Sequence, residues 1–329
     1  MTGADEVRAV RRGAGLFELP GRGVLAVRGG DRVRWANGML SNDVAALEDS
    51  GPGAGCYALL LTAQGRIVAD LHVLLREDEL WLETERAEIP EVIARLEKFV
   101  IADDVALLDR SAELARLAVE GPAAPAILET LAGGPLPPDA WREVDPADGG
   151  FALAAYALAG GEGFQVFVHP ARAQAVRARL LAAGNASGLV EAGAETLRVL
   201  RIEAGVPWLG EDLDETVLPD EAGLGDAVST TKGCFTGQEV VARMRSRGRI
   251  SHRLVGLRGG DEVLRPGAPV SIGGQRVGEV TSAIRSPAAG AIALAYLRVP
   301  HDAEGTLVEV EGTRAEVSHL PFGADSQAP

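Results

Sequence analysis

STTKGCFTGQEVVARMRSRG, from Ser229 to Gly248, holds one of the two cysteines of the chain between small and basic residues, directly ahead of a helix start. Thr236 and Glu239 stand at the T-x-x-E spacing of a capping box, in which the Thr hydroxyl accepts from the Glu backbone N–H and the Glu carboxylate accepts from the Thr N–H. Val240, Val241 and Met244 then recur at helical spacing, and Gly248 supplies a stop. Cys234 is thereby expected about two residues ahead of the helix, near the positive end of its dipole, with Lys232 just upstream. Both effects favour the thiolate, the nucleophilic and ligating form. The competing reading makes Cys234 a small buried hydrophobe, with Thr236, Glu239 and the glycines serving only cap and turn.

Working outward, 329 residues suit one large or two to three small domains, and 47 % hydrophobic content without a low-complexity block marks a folded chain. A net charge of −15 weighs against general affinity for nucleic acid. Cys56 and Cys234 are too few for a disulfide framework and suit a reducing cytosol. MTGADEVRAVRRGAG at the start has scattered charge and no apolar core of a signal peptide, and no long apolar run follows, so no membrane is expected and the cytoplasm is the expected address. His72, His169, His252, His301 and His319 show no close pairing, and no C-x-x-C occurs, so no metal site is expected in this chain alone. Phosphate-binding glycine loops are absent as well.

Residues 1–14 read as a mobile start, 15–248 as a mixed domain and 249–322 as a small β-barrel of short strands separated by Gly and Pro. Gly23–Val27, Tyr57–Thr62, Ile67–Leu75 and Glu79–Glu83 read as strands, with a hairpin at Gln64-Gly65. Asp31 is a candidate N-cap, and Pro90–Phe99, Ala171–Ala183 and Ala194–Glu203 read as helices. Strands and helices mixed with frequent hairpins give an α+β fold, not a doubly wound one. Arg243, Arg245, Arg247, Arg249 and Arg253 form a basic run. If the helix frays near Met244, alternate arginines share one side and make an anion site; the competing reading pairs them with the acidic 211–226 segment.

Lys232-Gly233-Cys234-Phe235-Thr236-Gly237-Gln238-Glu239, followed by Arg243, resembles the K-G-C-[YF]-x-G-Q-E-x-x-x-R signature of the YgfZ family. These are folate-binding-like proteins of iron–sulfur cluster assembly and repair, related to the aminomethyltransferase (T-protein) of the glycine cleavage system. The likeness extends to Arg201–Gly205, Pro219–Leu224, Leu40–Val44 and Gly65–Asp70. It implies a T-protein-like folate-binding domain of interleaved halves, then a C-terminal β-barrel, in a ring-like arrangement. It also implies tetrahydrofolate or a folate derivative as cofactor, and iron–sulfur client or assembly proteins as partners, among them the radical enzymes that modify tRNA. Cys234, Lys232 and Asp70 become the candidate catalytic residues, with Cys234 the key one. On the cofactor side the resemblance points to Asp70 beside the pterin, Arg201 as a bidentate holder of a glutamate-tail carboxylate, and Glu162, Gln238, Glu239 and Arg243. On this reading folate affinity falls on Arg201→Ala. Some YgfZ proteins stack folate on aromatic residues where this chain has Gly21–Val24 and Leu197–Val199, with none. The alternatives are a tetrahydrofolate-dependent aminomethyltransferase of the glycine cleavage type, or a ligand-free scaffold. Cys234 and Gln238-Glu239 favour the iron–sulfur role, since T-proteins tend to carry Asp before the aromatic residue and other choices at the Gln-Glu pair.

Overall fold

In the computed structural model of the chain, which describes residues 3–51, 53–145, 150–248 and 250–323, two sheets and a barrel are built from short elements. Helix α1 (Gly3–Arg12) leads into strands β1 (Ala14–Glu18) and β2 (Arg22–Arg28), then α2 (Arg32–Met39) and α3 (Ala46–Ser50). Next come β3 (Gly55–Leu61), β4 (Ile67–Leu75), β5 (Glu79–Glu85), α4 (Ile89–Leu96), β6 (Ala106–Asp109) and β7 (Ala115–Glu120). Helix α5 (Ala124–Ala132), strands β8 (Trp141–Val144), β9 (Phe151–Ala154) and β10 (Gly163–Val168), helix α6 (Ala173–Gly184) and β11 (Leu189–Glu191) follow. Helices α7 (Ala194–Ala204) and α8 (Gln238–Arg247) flank a long loop. The C-terminal part is β12 (His252–Gly259), β13 (Pro269–Ile272), β14 (Gln275–Ser286), β15 (Gly290–Arg298), β16 (Leu307–Val310) and β17 (Thr313–Ser318).

The first sheet has the order β11-β1-β7-β10-β9-β8 and the second β3-β4-β5-β2-β6, so the chain leaves the first sheet after β1, completes the second, and returns. The halves are interleaved, as the resemblance implied, and the fold is α+β with a closed six-stranded barrel, β12-β15-β14-β13-β16-β17. Strand alternation assigns each face. Leu16, Leu117, Val119, Leu153, Phe164 and Val166 of the first sheet pack under α5 and α6. Leu25, Val27, Leu71, Val73 and Leu82 of the second pack under α2 and α4. The remaining faces meet each other through Phe17, Ala118, Ala152 and Phe167 against Val24, Ala26, Leu74 and Trp81. Both sheets are therefore covered on both sides, and any polar residue on the inner faces is enclosed. Among the described residues no helix is long and apolar enough to cross a membrane.

The N-terminal segment corrects the sequence reading of a mobile start, since Gly3–Arg12 is helical. Val7 and Val10, three apart, are buried. The Glu6 carboxylate accepts from Gly193 N (3.1 Å) and Thr196 Oγ1 (3.0 Å), and Arg11 pairs with Glu203. These bonds tie α1 to the start and end of α7. Such partners nearly two hundred residues away are invisible in a local reading.

Candidate functional site

Asp70 and His72 lie on the strand IVADLHVLL, two apart, so both project from β4 into the seam between the sheets. Tyr57 on β3 and Glu83 on β5 sit directly opposite His72. Glu83, fully buried, accepts from Arg22 Nε (2.7 Å) and Nη2 (2.6 Å) and from Arg116 Nη1 (2.6 Å), which reaches across from the first sheet. Burial pushes Glu83 up, but Arg22 and Arg116 together hold it well below the ordinary carboxylate range. The His72 ring stacks on Tyr156 (centroids 3.6 Å, planes 10° apart), and burial lowers it to about 3, so it is neutral. Asp70 Oδ2 accepts from the Tyr57 hydroxyl (3.0 Å). Burial raises the Asp70 carboxyl above its ordinary value, against the opposing pull of Arg22 and the Tyr57 hydrogen bond. Asp70 Oδ1, His72 Nδ1, Arg116 Nη2, Tyr156 Oη and Gln165 Oε1 are all buried without a hydrogen-bond partner. Unpaired buried polar atoms are costly, and a concentration of them in one seam marks a place built for something polar.

Of these residues the sequence reading singled out only Asp70. Glu83, Arg116, Gln165 and Glu120 were missed, although each is a polar residue at an inward position of a strand whose other residues are buried. That break in alternation was the available signal. Glu162, the expected cofactor contact, is exposed in the turn ahead of β10, and its carbonyl accepts from Gly121 N (2.8 Å). The buried carboxylate nearby in sequence is Glu120, which accepts from Leu158 N (3.0 Å), Ala159 N (3.4 Å) and Gln165 Nε2 (3.0 Å).

The signature loop is a second, separate feature. Lys232 turns inward, away from solvent, and its Nζ donates to the carbonyls of Asn37 (2.6 Å), Leu40 (2.6 Å) and Asn42 (2.7 Å). It therefore caps the C-terminal end of α2, where carbonyls lack intrahelical partners and the dipole attracts a cation. Burial brings the ammonium down to about 8. The ammonium is thus directed at the 37–42 carbonyls, where the sequence reading expected it beside Cys234. Cys234 itself is exposed, whereas Cys56 is largely enclosed and burial raises its thiol to about 12. The capping box does not form. Gly237, in the left-handed region at φ +84°, is the N-cap, and no side chain caps the helix. Added side-chain bulk there would meet Thr62 O at 2.6 Å, so only glycine fits. Cys234 is thus further from the helix than the spacing implied. Glu239 and Arg243 are exposed and Gln238 is half-buried on α8. Nor does the helix fray at Met244. It runs to Arg247, and Arg245 pairs with Asp220 (3.1 Å) and donates to Gly225 O (2.7 Å), which supports pairing with the acidic segment. Arg249 lies outside the described residues.

Arg201 is fully buried, contrary to its expected role at a folate tail. Its guanidinium engages Asp212, Glu211 and, at 2.7 Å, Ser282 of the barrel strand β14, and lies over the Trp208 ring. Two carboxylates already occupy the fork a tail carboxylate would use. Beside this cluster a cleft of about 580 Å³ opens between the 211–221 segment and the barrel, lined by Asp214, Glu221, His252, Arg276, Tyr296 and Arg298 among others.

Comparison with known proteins fits this architecture. Residues 2–232 match the GCVT N-terminal domain, and residues 252–322 match the glycine cleavage T-protein C-terminal barrel domain. An aminomethyltransferase of Symbiobacterium thermophilum is 36 % identical, covering 97 % of this chain and 88 % of that protein. One of Rubrobacter xylanophilus is also 36 % identical, covering 96 % and 85 %. The crystal structure of glycine cleavage system aminomethyltransferase T from Bartonella henselae superposes with a TM-score of 0.85 at 27 % identity, over 98 % of this chain and 90 % of that one. These relatives are named for aminomethyl transfer, not for iron–sulfur assembly. The chain belongs to the glycine cleavage T-protein (aminomethyltransferase) family.

Proposed function

We propose that the chain binds tetrahydrofolate with the pterin in the seam at Asp70, and that it transfers an aminomethyl group to this cofactor. The observation that carries the reading is the Asp70 carboxylate, fixed by Tyr57 through Oδ2 and presenting a buried, unpartnered Oδ1. A pterin offers N–H donors and ring acceptors. The orphan acceptors Asp70 Oδ1 and Gln165 Oε1, with the orphan donors of Tyr156 and Arg116, match such a ligand in kind. When bound, tetrahydrofolate supplies the nitrogen that takes up the one-carbon unit. Asp70 orients an N–H donor and, raised by burial, is able to hold a proton at Oδ1. His72 stays neutral and adds no charge to the seam. The aminomethyltransferases among the relatives, similar over nearly the whole chain, support this reading over the iron–sulfur role.

One observation favours the second reading, maintenance of iron–sulfur enzymes. Cys234 is exposed within Lys232–Glu239, the signature that resembles the YgfZ family. The test is aminomethyl transfer to tetrahydrofolate from a lipoyl-bearing carrier protein by the purified chain. Wild type turns over, and Asp70→Asn loses on the order of a hundredfold or more in rate, the scale of one acid–base group. A wild type that does not turn over, but rescues an iron–sulfur tRNA-modifying enzyme in a bacterium lacking its own homologue while Cys234→Ala does not, selects the second reading. Absence of any tetrahydrofolate binding by calorimetry defeats the cofactor assignment outright.

A further inference from the structure

We propose a second ligand site, for a small oxyanion, at the open edge between the two sheets. A pocket of about 280 Å³ lies there, where β1 and β7 of the first sheet approach β2 of the second, and Arg22, Arg86, Arg116 and Arg177 line it. Four guanidinium groups around so small a space repel one another unless anions stand among them. The two inner ones are answered from behind. Arg22 reaches Glu83 and Glu85, and Arg116 Nη1 reaches Glu83. Arg177 pairs with Glu191, and at 3.6 Å with Glu18, whose side chain is 70 % exposed at the rim.

Two donors are left. Arg116 is 4 % exposed, and its Nη2 is buried without a hydrogen-bond partner. Arg86 is exposed at the mouth and has no ion pair among the described residues. A guanidinium presents paired N–H donors in the geometry of a carboxylate or phosphate, so an oxyanion entering here meets Arg86 and Arg177 and displaces Glu18. The volume sets the class. It falls below the roughly 300–1,000 Å³ of pockets that hold whole cofactors or drug-sized molecules. The ligand is a small anion or an anionic head group; its contacts at the mouth, Arg86 and Arg177, are not among the groups assigned to the pterin, whereas Arg116 borders both the pocket and the seam.

Calorimetric titration of the full chain at fixed ionic strength, with inorganic phosphate and with succinate as probes, tests this. Saturable binding of phosphate identifies a phosphate ligand, and saturable binding of succinate alone a carboxylate. Either is weakened about tenfold or more in Arg86→Gln, the equivalent of one charge-assisted hydrogen bond. Arg314→Gln, a surface charge on the barrel, binds as wild type does. Saturable binding of neither probe, or equal weakening in both variants, overturns the proposal. Tetrahydrofolate affinity stays unchanged in Arg86→Gln; its loss together with phosphate binding means one continuous site, which also overturns it.

Discussion

Glu120 is 1 % exposed and its hydrogen-bond partners, two backbone N–H groups and the Gln165 amide, are all neutral. Burial raises its carboxyl from 4.5 to about 8 against those bonds. The folded chain therefore keeps a proton there that the unfolded chain releases, and stability falls as pH rises between those values. His72 acts oppositely. Burial lowers it from 6.5 to about 3, so the unfolded chain binds the extra proton and stability rises with pH across that lower window. The two slopes offset each other below 6.5, and Lys232, lowered from 10.5 to about 8, contributes only above 8. Between 6.5 and 8 the Glu120 slope stands alone among these groups. Its ceiling is ~1.4 kcal/mol per pH unit, the value of one proton. Urea denaturation across that interval should show wild type losing stability with rising pH, and Glu120→Gln flattening the curve. Parallel curves for the two proteins would mean that Glu120 titrates elsewhere.

At the level of single elements, the signature turn is held by backbone fit more than by side chains. Gly237 occupies a positive φ with Thr62 O 2.6 Å from where a Cβ would stand, and Gly65, at φ +74°, abuts Val240 and Val241. Gly237→Ala is expected to cost about 1–3 kcal/mol from conformation and contact together, and to speed labelling of Cys234 by a thiol reagent as the turn loosens. Unchanged stability with an unchanged labelling rate would show that the turn accommodates the methyl group. The same turn marks the limit of a local reading. Helix α8 and its stop at Gly248 were legible, because apolar spacing and glycine act within a few residues. The capping box was not, because Gly237 takes the N-cap position for a reason located in Thr62. The direction of Lys232 was not legible either. Sequence shows that it neighbours Cys234, but its ammonium is claimed by the carbonyl of Asn42, 190 residues earlier. Asp70 was found through resemblance alone. Glu83 and Arg116 stood in the sequence only as breaks in alternation, and their pairing emerged when two strands from different sheets were brought face to face.

For the whole molecule, the joint between sandwich and barrel is what the R-I-E of helix α7 encodes. Arg201 donates to Ser282, Ile202 packs with Leu254, Ile292, Leu294 and Phe322, and the Glu203 carboxylate accepts from Ser286. Glu221 adds a second clasp, its side chain accepting from His252 N (3.2 Å) and its carbonyl from Leu254 N (2.8 Å). The residues that sequence resemblance assigned to a ligand thus set the position of the barrel against the cleft beside it. Removing Arg201 leaves Asp212, 2 % exposed, without its cation, a loss on the scale of ~3–5 kcal/mol for breaking a buried pair. Arg201→Ala is therefore expected to lower the melting temperature and to split unfolding into separate barrel and sandwich transitions in scanning calorimetry. Tetrahydrofolate affinity, measured well below the first transition, should weaken only to the extent that the barrel shifts. A variant with wild-type stability and a single transition, but with folate binding lost, would return Arg201 to the folate tail, because a residue that only joins two bodies cannot fail in binding while the joint holds.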